Sequence, residues 1–149
     1  MTANRWAAVA ALVAYLPRVE WVDLYPWNDV RHGNGQESLD LVLALVTLAL
    51  AAGLWVGGRV VPLMALMLLG AWAWLQAISW WNRYLQGASP GWRRVYAHWF
   101  AGTIQALPGD ATHLPPDASH LVLQILILVA LGASLWATLS RIRGPASAA

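Results

Sequence analysis

Four apolar stretches, separated by polar connections, organise the chain: Arg5–Pro17, Leu39–Gly57, Val61–Trp81 and Asp117–Ser140. A helix needs about 20 mostly apolar residues to cross a hydrocarbon layer about 30 Å thick, and the last three stretches reach that length or approach it. The first is shorter and follows Arg5, as a signal peptide would, but no small-x-small pattern follows it, so it reads as an uncleaved span. Ser38, flanked by Glu37 and Asp40, marks the start of the second span, where negative charge suits the helix dipole. Gly57-Gly58-Arg59 and Pro62 form a tight turn into the third, so spans two and three make an antiparallel hairpin. Trp80-Trp81-Asn82-Arg83-Tyr84 marks a membrane–water boundary.

A different period follows the turn Gly87-Ala88-Ser89-Pro90-Gly91. From Trp92 to Leu107, the residues Trp92, Val95, Tyr96, Trp99, Thr103 and Leu107 fall on one stripe at three and four spacing. This segment is too short and polar to span, and is predicted to lie in the interface or across the bundle mouth. The expected fold class is an all-α membrane protein. It is a four-transmembrane-helix bundle in one domain, with an added interfacial amphipathic helix at 92–107 and a disordered tail at 144–149.

Composition supports a membrane setting. Hydrophobic residues make up 59% and charged residues 11% of the chain, against about a quarter charged in soluble domains. The net charge of +2 gives no reason to expect nucleic acid as a partner. With no cysteine, thiol relays, thiolate metal sites and cysteine-attached haem are excluded.

Charge then polarises the bundle. All seven acids (Glu20, Asp23, Asp29, Glu37, Asp40, Asp110, Asp117) and all four histidines (His32, His98, His113, His120) belong to the first and third connections or the span ends beside them. The opposite side carries Arg5, Arg59, Arg141 and Arg143 in short segments without an acid. The positive-inside rule therefore predicts a cytoplasmic (inner) membrane protein of bacterial type with both termini in the cytoplasm.

Candidate chemistry gathers at the outer ends of the spans. Glu37 and Asp40, Gln76 and Trp80, and Asp117, His120 and Gln124 are spaced three or four apart at the outer span ends, with Gln76 and Gln124 matched in depth. Polar groups in lipid are costly and face a bundle interior or cavity, so these seven are expected to line one outward-facing ligand pocket. Hydrogen bonding of Gln76 to Gln124 as interhelical glue accounts for that pair equally well. Asp117-x-x-His120 with nearby His113 is the candidate set for a divalent metal, which Glu37, Asp40 or His32 could complete. Arg93, Arg94, Trp92 and Trp99 are candidates for a lipid head group, with Arg on phosphate; an ordinary aromatic belt is the plainer reading of the tryptophans. The stretch His32-Gly33-Asn34-Gly35-Gln36-Glu37 reads as a turn, without the lysine of a phosphate-binding loop.

No hydrolase elbow or HExxH pattern is present. The inner halves of the spans are nearly free of polar residues, which disfavours ion conduction. The expected function is a small polytopic membrane protein whose outer pocket binds a lipid head group, a small ligand or a partner membrane protein, the last including a second copy of itself. The alternative is a metal-dependent or acid–base enzyme acting on a lipid-like substrate at the same pocket.

Overall fold

The computed structural model describes residues 14, 22–27, 60–100 and 102–142. The expected spans at 5–17 and 39–57, and the tail at 144–149, lie outside these residues. Every regular element within them is helical: α1 (Val60–Gln76), a π-helical turn (Ala77–Trp81), α2 (Asn82–Gln86), α3 (Pro90–Trp99) and α4 (Ala118–Ile142).

Two of these runs are long and apolar enough to cross a membrane: Leu63–Gln86, 24 residues, and Ala118–Trp136, 19 residues. Their outer faces are apolar and uncovered. Met67 is 68% exposed, Trp74 67% and Trp136 63%. Large apolar side chains left bare along whole helices would be costly in water and cost nothing in lipid. What the two helices do bury is a narrow seam of Leu69, Leu123, Ile127 and Ala130, with Trp72, Ala73, Leu126, Leu131 and Ala133 packed against it.

The helices run antiparallel. Gln76 and Trp81 meet Gln124, and Trp80 meets His120, so numbers rise along one helix as they fall along the other. The third span was expected to stop at Trp81, but helical backbone continues to Gln86 through the π turn. A π turn shifts the facing of everything after it. Here the adjacent residues Trp80 and Trp81 both contact α4, which a regular helix, turning about 100° per residue, accommodates poorly.

Gly87 ends α2 with φ 93°, a conformation that favours glycine. Ser89 then caps α3, its Oγ accepting from Trp92 N–H at 3.3 Å, and Pro90 occupies the first turn, where its missing N–H is harmless. The helix expected at 92–107 ends at Trp99. Phe100 N–H makes the last helical bond, to Tyr96 O at 2.8 Å, and Thr103 folds back on Phe100 O with its N–H at 3.1 Å and its hydroxyl at 2.7 Å. Ile104 N–H then bonds Pro26 O at 2.9 Å, and Ile104 O accepts from Ala118 N–H at 2.7 Å. These bonds to distant segments draw the chain out of the helix although its apolar period continues.

The loop from 106 to 116 is pinned at two points. Ala88 N–H donates to Thr112 O at 2.7 Å, and Tyr84 Oη donates to Pro108 O at 2.8 Å. Gly109 lies so close to the loop's end that a Cβ there would sit 2.5 Å from Pro115 Cδ and 2.7 Å from His113 O.

Candidate functional site

At the start of α4, Asp117 is 1% exposed and holds the helix end together. Its Oδ1 accepts from the His120 backbone N–H at 2.8 Å, an N-cap interaction. The same oxygen accepts from His120 Nδ1 at 2.8 Å and from the buried Ser119 hydroxyl at 2.9 Å. Oδ2 lies 3.2 Å from Thr103 Oγ1, whose single proton has Phe100 O as its nearer acceptor. A carboxylate with these neighbours accepts only, so Nδ1 of His120 carries a proton and Nε2 is the nitrogen left over. No described residue bonds to Nε2.

Aromatic rings fix the imidazole. Trp80 lies 4.5 Å from it, tilted by 44°, and Phe100 meets it edge-on at 5.3 Å. Trp80 is itself buried among Trp92 at 5.6 Å, Tyr96 at 6.3 Å and Phe100 at 5.2 Å, all from α3 and its end. Edge-to-face contacts of this kind favour one arrangement of the rings beyond the area they bury. The segment expected at the interface or over the bundle mouth therefore packs as a lid on the Trp80–His120 contact. Tyr96 Oη donates to Pro115 O at 2.9 Å. Burial pushes the Tyr96 phenol up to about 12, and the nearby Asp117 charge adds to the effect, so Tyr96 is a neutral donor at physiological pH.

One turn deeper, Gln124 links the spans. Its Oε1 accepts from Trp81 Nε1 at 2.8 Å and its Nε2 donates to Gln76 Oε1 at 3.3 Å. The glue reading of Gln76 and Gln124 is thus realised, with Trp81 as a third member.

Of the pocket residues named from sequence, Gln76, Trp80, Asp117, His120 and Gln124 come together, while Glu37 and Asp40 lie outside the described residues. The metal trio is not gathered. His113 Nδ1 bonds Asp110 at 3.0 Å rather than joining Asp117 and His120, and the described residues contain no group of three potential ligands. Asp110 holds that turn by accepting from Thr112 N–H at 2.7 Å and His113 N–H at 2.8 Å. These bonds, His113 first, hold the Asp110 carboxyl far below the usual carboxylate range. Tyr84, Leu85, Pro108, Gly109, Asp110 and His113 line an open groove of about 450 Å³ outside this turn.

The head-group set is divided. Trp92 is part of the ring cluster, Trp99 packs on Phe100 at 6.2 Å, Arg93 is half-buried and Arg94 is exposed. Sequence reasoning missed Phe100, Ser119, Trp81 and Arg83. Phe100 is the chain's single phenylalanine and lies four residues after Tyr96, a usable signal. Arg83, whose guanidinium carbon is 4.0 Å from the centre of the Trp92 ring, offered none.

Comparison with known proteins finds no matching family model, no matching curated protein and no matching solved structure.

Proposed function

We propose that this chain is a four-span inner-membrane protein, both termini cytoplasmic, whose extracytoplasmic mouth binds the polar end of a membrane ligand at His120. The ligand classes are a lipid head group, a small amphiphile or a group presented by a partner membrane protein. One observation carries the reading. His120 is held by Asp117 at Nδ1 and by Trp80 and Phe100 around its ring, which leaves Nε2 as its chemically available position. A histidine fixed in this way is pre-organised to accept one directed hydrogen bond at Nε2, and little ordering entropy is lost on binding.

The same geometry supports a second reading, acid–base chemistry at Nε2 on a lipid-like substrate. A carboxylate on Nδ1 sets the tautomer and leaves the Nε2 lone pair to take a proton, as a general base requires. Ser119 donates to Asp117, is fully buried and is no candidate nucleophile, so this reading extends only to proton transfer.

Native mass spectrometry of protein released gently from membranes tests the binding reading. A ligand that copurifies with wild type and is lost from His120→Ala supports it. Equal ligand content in both proteins overturns it.

A further inference from the structure

Among the described residues, Arg83 is a cation without a counter-charge. Sequence 41–109 contains Arg59, Arg83, Arg93 and Arg94 and no acid. Among the described residues, neither Arg83, Arg93 nor Arg94 forms an ion pair or a side-chain hydrogen bond. Arg83 instead stacks over Trp92 at 4.0 Å. Stacking uses the face of the guanidinium and leaves its N–H groups, which lie in the plane of the group, free for two parallel bonds to a phosphate. Trp92 adds an independent sign. Its Nε1 is buried and is the one such side-chain atom among the described residues that lacks a hydrogen-bond partner. An orphaned donor of this kind destabilises the protein until an acceptor reaches it.

The surroundings indicate which phosphate. Arg83 lies within the run Leu63–Gln86 that can cross a membrane, near its polar end, and Leu85 two residues on is 70% exposed. A phosphate at that level with apolar chains beside it is a phospholipid head group. We infer that Arg83, clamped on Trp92 with Arg93 close in sequence, forms a binding site for an anionic phospholipid. The inference rests on the membrane reading above, but not on ligand binding at His120.

The test titrates full-length protein in detergent with short-chain phosphatidylglycerol, phosphatidylcholine of the same chain length, and inorganic phosphate, and reads bound lipid by native mass spectrometry. Loss of charge-assisted bonds predicts that Arg83→Gln weakens phosphatidylglycerol binding about tenfold, with Arg83→Lys intermediate. Trp92→Phe, which keeps a ring for stacking but removes Nε1–H, is expected to weaken it severalfold. Equal affinity of wild type and Arg83→Gln for phosphatidylglycerol overturns the site. So does phosphatidylcholine binding as tightly, or inorganic phosphate competing at millimolar concentration, which would make the site one for soluble phosphate. Should alkaline carbonate strip the chain from membranes, the membrane reading itself falls. An integral protein indifferent to Arg83→Gln overturns this inference alone.

Discussion

Asp117 and His120 are joined twice, the carboxylate Oδ1 lying 2.8 Å from both the backbone nitrogen and the ring Nδ1 of the histidine three residues on. One oxygen thus starts α4 and sets the tautomer of the histidine in its first turn. Structure and chemistry are coupled there, and a substitution at Asp117 should affect both. Asp117→Ala removes the cap and takes away the acceptor of the His120 Nδ1–H, so it should destabilise by about 2 kcal/mol. Ser119→Ala, which removes the hydroxyl bond to Asp117, should cost about half as much. Thermal unfolding in detergent, followed by tryptophan fluorescence, measures both.

Gly109→Ala should be disruptive although the residue is exposed. Its Cβ would lie 2.5 Å from Pro115 Cδ and 2.7 Å from His113 O, and neither the proline ring nor the backbone can yield cheaply. Pro115 is buried and its carbonyl accepts from Tyr96, so the shift would reach the ring cluster. A cost of about 1–3 kcal/mol is expected, with the loss of stability again read from thermal unfolding. Gly91→Ala, with open space at its Cβ apart from Ser89 Oγ at 4.0 Å, is the control and should change little.

The Asp110 turn gives a pH prediction with a definite sign. The folded-state carboxyl lies below its ordinary value because the N–H groups of His113 and Thr112 favour its charged form. A depressed carboxyl supports the fold above its unfolded value of about 3.9, and the support is lost as pH falls toward the lower folded value. Protection of the Thr112 and His113 amides from hydrogen exchange should therefore hold at pH 4 and decline only well below it. Asp110→Asn should abolish that dependence.

Gln124 offers a double-mutant cycle. Replacing Gln76 or Gln124 by Leu removes their shared bond, and Gln124→Leu also strands Trp81 Nε1. Hydrogen bonds within membranes average about 0.6 kcal/mol, so a coupling of that size is expected between positions 76 and 124, with a larger single cost at 124. Zero coupling would remove the pair from the account of how the spans are joined.

The sequence made some of this site legible and hid the rest for definable reasons. Spacing of three and four gave the shared faces of Asp117, His120 and Gln124, and depth matching paired Gln76 with Gln124, because span length and helical period are local properties. The turn at Gly87–Gly91 was legible for the same reason. The end of α3 at Trp99 was not, since it is imposed by bonds from Ile104 to Pro26 and Ala118, far away in sequence. The π turn was hidden too. Nothing local distinguishes Ala77–Trp81 from a continuing α-helix, and its consequence appears only where Trp80 and Trp81 both meet the opposite helix. His113 was paired with the wrong carboxylate because Asp110, three residues before it, binds it within its own turn.

The central claim is a membrane bundle with its ionisable groups at one extracytoplasmic mouth, and single-cysteine labelling addresses it directly because the chain has no cysteine of its own. Asn34→Cys, Gly58→Cys and Ala111→Cys, each made alone and treated in intact cells with a membrane-impermeant maleimide, report the three connections. The account predicts labelling at 34 and 111 without permeabilisation and at 58 only after it. Labelling of 34 and 111 from opposite sides of the membrane would contradict it.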